Sequence, residues 1–179
     1  PGVGENHPRT VAFWVKVPKP DSMMPVYGLV SWGSMADVGS AWQISINPTE
    51  EEGPLGRLRM GTKKAQAIGT TDLRDNRWHH IAIVMYGGET ADVSTHILLY
   101  IDGKLEKTSR RSIHRIFTDI ESGLAITVMF GRDMGHPLDD SKFSYNLFKG
   151  WLDEVYIFEA ALSGAQVEEL MKKNQPPRG

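Results

Sequence analysis

The chain has 179 residues, no cysteine and a net charge of −2, with 20 basic and 22 acidic side chains spread along it. That length suits one domain with a real core, and the missing thiols exclude disulfide staples, a cysteine nucleophile and zinc–thiolate chemistry. No basic block exceeds a pair such as Arg110-Arg111, and no apolar run approaches the ~20 residues of a bilayer span, which argues against nucleic acid and membrane insertion.

Residues 1–9 are rich in Pro, Gly and polar types and read as an entering loop. Because the first residue is not Met, the sequence reads as a fragment of a larger protein and its lack of a leader says nothing. From Thr10 to Val17 the pattern alternates: Val11, Phe13, Val15 and Val17 share one face, and Ala12, Trp14 and Lys16 the other. Val26–Trp32 and Trp42–Ile46 predict two more strands around a Gly33–Ser40 loop. Pro48–Gly56, with its Glu50-Glu51-Glu52 run, predicts a solvated tip. Strands follow at Arg57–Met60, Ala65–Ile68, Trp78–Met85 and His96–Ile101.

The Asp102-Gly103 pair predicts a tight hairpin into a strand over Leu105–Ser109. Ile113–Ser122 has no clear period and is read as loop with a short helical turn. Ala125–Phe130 is apolar and β-branched, which predicts a buried strand, and Gly131–Leu147 is a long polar loop. Leu152–Phe158 closes the strand set. Ser163 with Gln166 has capping-box spacing, and Val167, Leu170 and Met171 supply the apolar stripe of a short helix. The whole of 1–179 is one domain with a tail at 174–179. It predicts an all-β, two-sheet antiparallel β-sandwich with a short C-terminal helix.

Catalytic signatures are missing from this order of residues. A glycosidase on a sandwich needs paired carboxylates at alternating strand positions, and no Glu-x-Asp-x-Glu type spacing occurs. No nucleophile elbow, phosphate loop or His-Glu-x-x-His zinc pattern is present. His79 and His80 are adjacent strand residues that point to opposite faces, so they cannot converge on one ion; one is expected in the core and the other on a surface. The Gly131–Asp140 loop carries Asp133, His136, Asp139 and Asp140, read mainly as a solvated acidic loop.

Three segments, in order, resemble the laminin-G-like family of concanavalin A-like jelly rolls. They are Thr10–Lys16 with its Phe-Trp-Val-Lys ending, the Trp78-His-His strand with the Asp102-Gly-Lys turn, and Gly150-Trp-Leu-Asp-Glu-Val followed by Ala161-Leu-Ser. The family's opening strand with a Phe-Asp-Gly stretch has no counterpart here; if missing, its absence would leave a sheet edge open to pairing with another chain.

The resemblance implies a module of an extracellular, periplasmic or cell-surface protein, of bacterial type, that binds a glycan or a protein and adjoins other domains of a parent chain. It also implies that Asp153 helps hold a structural calcium, with capping of backbone amides as the simpler reading, and that Trp14 and Trp78 are core residues. Tyr27, Trp32, Trp42 and Trp151 stay open between core and surface. Stacking on sugar C–H faces makes Trp32 and Trp42, with Asp37 between them, a candidate rim site, and Asp133 and Asp139 weaker candidates. A non-catalytic binding module is the expected function. A spacer without a ligand, and a hydrolase or lyase on the same fold, are its rivals.

Overall fold

A computed structural model describes residues 2–19, 27–134 and 147–176. Two antiparallel sheets face each other. One has the order β11-β1-β6-β7-β8, from Trp151–Phe158, Arg9–Lys16, Trp78–Met85, Ile97–Ile101 and Lys104–Leu105. The other has the order β10-β2-β3-β4-β5-β9, from Ile126–Phe130, Tyr27–Gly33, Ala41–Ile46, Arg57–Thr62, Ala65–Asp72 and Thr108–Arg111. The all-β sandwich expected from the alternation is what forms.

The inner faces fill from the predicted alternation. Val11, Phe13 and Val15 of β1, with Val17 just beyond it, meet Trp32, Trp42, Ile44, Leu58 and Met60 of the opposing sheet in one dry core. Ile81, Ile83 and Leu99 complete it. Arg9 is also wholly buried, and each guanidinium nitrogen donates: to the carbonyls of Val3, Gly4, Glu5 and His7 and to Thr118 Oγ1. Burial lowers its pKa to about 10, a shift that Glu159 opposes, so it remains a cation that pins the entering loop.

Several boundaries differ from the sequence expectation. The loop before β7 holds a short helix, α1 (Val93–His96), because the Asp92 carboxylate accepts the Ser94 amide as an N-cap. The predicted strand at Leu105–Ser109 is split into β8 and β9, which belong to different sheets and carry the chain across the sandwich. No helical turn forms in Ile113–Ser122, where backbone bridges at Arg115 and Thr118 hold the segment extended. Val26 lies outside the described residues.

The final helix, α2 (Gly164–Lys173), follows its sequence signals closely. Ser163 caps it in a reciprocal box with Gln166, and Asn174 ends it in the left-handed region. Val167 and Leu170 press it onto Ala12, Ala82, Val84 and Tyr100, on the outer side of the five-stranded sheet. Thr10 ties down its approach, donating to the Ala160 carbonyl and accepting from the Leu162 amide. This helix covers only half of that outer face.

Candidate functional site

The rim site expected from Trp32, Asp37 and Trp42 does not form. Both indoles are fully buried and stack on each other at 5.5 Å, because each sits at an inward position of a paired strand, β2 and β3. Trp32 donates to the Val3 carbonyl, and the Arg9 guanidinium lies over Trp42. Neither offers a face to a sugar. Asp37 is exposed on the Gly33–Ser40 loop, with no accessible aromatic from that pair beside it.

Asp133 is 6% exposed, where the chain leaving β10 crosses β2. The crossing is so close that a Cβ on Gly28 would meet the Arg132 carbonyl oxygen at 2.2 Å. Asp133 is therefore a packed residue with its own partners and is not a solvent-facing ligand. Asp139, with His136 and Asp140, lies outside the described residues.

His79 and His80 take opposite faces as expected. The His79 ring is bracketed by carboxylates, with Nδ1 at 2.8 Å from Asp102 and Nε2 at 3.2 Å from Asp75. Asp102 also accepts the His80 amide. This arrangement locks the Asp-Gly turn to the entry of β6 and leaves neither His79 nitrogen free for catalysis. His80 is the buried one and packs edge-on against Trp14 at 5.3 Å.

The accessible aromatics gather elsewhere, on the half of the outer five-stranded face that α2 leaves open. Register places Lys16 of β1 opposite Trp78 of β6 on one side and opposite Trp151 of β11 on the other. The next row is His80, Trp14 and Asp153. Directly opposed residues of antiparallel strands share a face, so Trp78, Lys16 and Trp151 form one row across three strands. Trp78 is 44% and Trp151 52% exposed, Trp14 is half-buried, and the Lys16 ammonium sits 5.0 Å from the Trp151 ring centroid. The family-based placing of Trp14 and Trp78 in the core is thus corrected: their parity points them outward, and Trp78 opens its strand beyond the reach of the helix.

A β-bulge completes this row. Between the Ala12–Tyr156 and Trp14–Asp153 pairs, β11 has one more residue than β1, and Glu154 takes φ 50° there. Without the extra residue, alternation back from Tyr156 would turn Asp153 and Trp151 inward. With it, Leu152 packs on the core and Trp151 joins the outer row. Gly150 lets β11 start this close to β1, since a Cβ there would lie 2.6 Å from the Lys16 carbonyl oxygen.

Asp153 is exposed, and its Oδ1 accepts the Glu154 amide, which is the amide-capping role. Calcium needs six to eight oxygens. Among the described residues no group of three His, Asp or Glu side chains converges as a metal site, and Glu154 Oε2 accepts from the Tyr156 hydroxyl. The described side chains around Asp153 do not fit a calcium cage.

Comparison with known proteins places the chain in a family. It belongs to the concanavalin A-like lectin/glucanases superfamily, in the laminin-G-like family whose model matches residues 3–168. No curated protein matches the sequence. Among solved structures, it is similar to a Bacteroides ovatus protein provisionally described as carbohydrate binding, with TM-score 0.65 and 20% identity over 96% of this chain and 42% of that one. It is also similar to the CBM40 of Ruminococcus gnavus IT-sialidase, with TM-score 0.60 and 14% identity over 93% of this chain and 84% of that one. The binding domain of botulinum neurotoxin serotype D/C gives TM-score 0.57 and 18% identity, over 95% of this chain and 37% of that one. At these identities the likeness is one of fold. The chain spans less than half of the first and third of these structures.

Proposed function

We propose that this concanavalin A-like domain is a non-catalytic module that binds a glycan, outside the cytoplasm, on the open outer face of its five-stranded sheet. One observation carries the reading: three tryptophans, Trp14, Trp78 and Trp151, come from three strands to one accessible face. Indole faces stack on the apolar C–H faces of pyranoses, while Lys16 and Asp153 beside them supply a donor and an acceptor for hydroxyls. The neighbour provisionally described as carbohydrate binding, and the sialidase's CBM40, support a binding role on this fold. Catalysis finds no support at His79, where Asp75 and Asp102 close on both ring nitrogens.

The test is a broad glycan array probed with the purified domain and with a Trp78→Ala, Trp151→Ala double variant. A hit that the double variant loses by more than tenfold, at unchanged thermal midpoint, supports the module and its face. A hit that the double variant retains moves the site elsewhere. Binding to no glycan at all defeats the reading.

A protein-contact role rests on a separate observation. Strand β10 has β2 as its one strand partner among the described residues and exposes Ile126 and Phe130 at 42% and 56%. Such an edge suits contact with another chain or domain.

A further inference from the structure

We infer that the glycan taken by this face is acidic, a polysaccharide whose pyranose rings bear carboxylate or sulfate groups; this rests on the binding-module reading above. The argument begins with the position of Lys16. Its ammonium is at the centre of the row, with an indole on the strand to either side, and lies over the Trp151 ring. Neighbouring strands are ~4.8 Å apart, so the backbone positions of the two outer tryptophans are roughly 10 Å apart, about the length of a disaccharide. A chain laid across the strands puts one ring near each tryptophan and brings the link between them over a cation.

Charge around the row points the same way. Among the described residues, Lys and Arg ion pairs include Arg57 and Arg74 with Asp72, Arg59 with Glu52, Lys172 with Glu168 and Lys173 with Glu169. Lys16, Arg77 and Lys149 have no carboxylate partner among the described residues. Arg77 directly precedes Trp78 and Lys149 stands two residues before Trp151, and both are exposed. Lys16 is thus the cation that the register places on the row, on a chain whose net charge is −2. General attraction for polyanions cannot come from that overall charge; the attraction is local.

Glu154, at the edge of this face, is engaged by the Tyr156 hydroxyl; the acid one row from Lys16 along the strands is Asp153, with Oδ1 already engaged by the Glu154 amide. Its second oxygen is an acceptor for a sugar hydroxyl. A stacked acidic ring over Lys16 converts a solvated ammonium into a charge-assisted pair, which a neutral sugar cannot do.

The experiment uses affinity electrophoresis of the whole chain through gels containing polygalacturonate, dextran sulfate or neutral dextran, in 0.15 M salt. Retardation by either polyanion and not by dextran is expected, and the two arms tell carboxylate from sulfate. Lys16→Gln should weaken that binding about tenfold and Lys16→Arg should restore it, both with unchanged thermal midpoints. Equal retardation by dextran, or full binding by Lys16→Gln, overturns the acidic assignment and leaves the glycan module standing. Failure of all three gels, combined with a wholly negative glycan array, overturns both.

Discussion

His80 shows how a single buried group records the construction of this face. It is 2% exposed, packed against Trp14 in the row next to Trp78, Lys16 and Trp151, and its Nδ1 has no hydrogen-bond partner. Burial lowers its pKa from 6.5 to about 4, while Asp102 pulls in the opposite direction. The unfolded chain thus takes up a proton as pH falls through 6.5, and the folded chain resists until about 4. Stability is complete above the unfolded value and declines between the two, by about 3 kcal/mol at most on the linkage relation. Asp72 and Glu106, whose carboxyl pKa values are also lowered, add losses at the acid end. A His80→Phe variant isolates the histidine's share. Urea unfolding at pH 7 and pH 4.5 should show the parent losing more stability than the variant; equal losses would mean that the imidazole is not kept neutral by the fold.

At the scale of elements, the bulge in β11 decides which side chains meet. Glu154 occupies the left-handed region, where a side chain costs roughly 1–2 kcal/mol and a β-branched one more. Glycine is free of that cost, so Glu154→Gly should match or exceed the parent's stability despite losing the contact with Tyr156. Glu154→Val should fall below the glycine variant by at least about 1 kcal/mol. Chemical denaturation of the two variants tests this, and equal midpoints would argue that the strand runs without the bulge. The bulge also explains what the sequence left hidden. Period-two patterning already put Trp14 and Lys16 on the face opposite Val11, Phe13 and Val15, although the family resemblance assigned Trp14 to the core, and the Asp-Gly turn located the central hairpin. Alternation in Trp151–Phe158 gives no sign of a phase change, since the extra residue is a glutamate where a glycine would have marked it. Trp32 and Trp42 misled for a related reason: two aromatics beside a Gly- and Ser-containing loop look like a rim, but strand parity sends both inward.

For the whole molecule, the question is how a two-sheet sandwich protects its edges. The sheets end together on one flank at β8 and β9, which are joined directly and carry Lys104, Arg110 and Arg111. They therefore also end together on the other flank, at β10 and β11. Strand β11 is guarded by its bulge, by Asp153 and by Glu154, all features that discourage pairing with a foreign strand. Strand β10 also carries an irregularity, with one extra residue between Ile126 and Met129, but it has neither acid. Its sequence, Ile-Thr-Val-Met-Phe, holds no charge and no proline, and Leu124 just before it is 68% exposed. The jelly roll followed from patterning and family resemblance; the edge order and the imbalance between edges did not, because Ala125–Phe130 reads as a buried strand until its neighbours are known. Contact between copies should therefore run through β10. Phe130→Lys places a charge at a position already 56% exposed, so it should leave the thermal midpoint within a few degrees of the parent. It should also lower any concentration-dependent association seen by sedimentation velocity. Association that survives in Phe130→Lys but disappears in the Trp78→Ala, Trp151→Ala variant would instead put the contact on the aromatic face, and that face would be shared between copies of the chain.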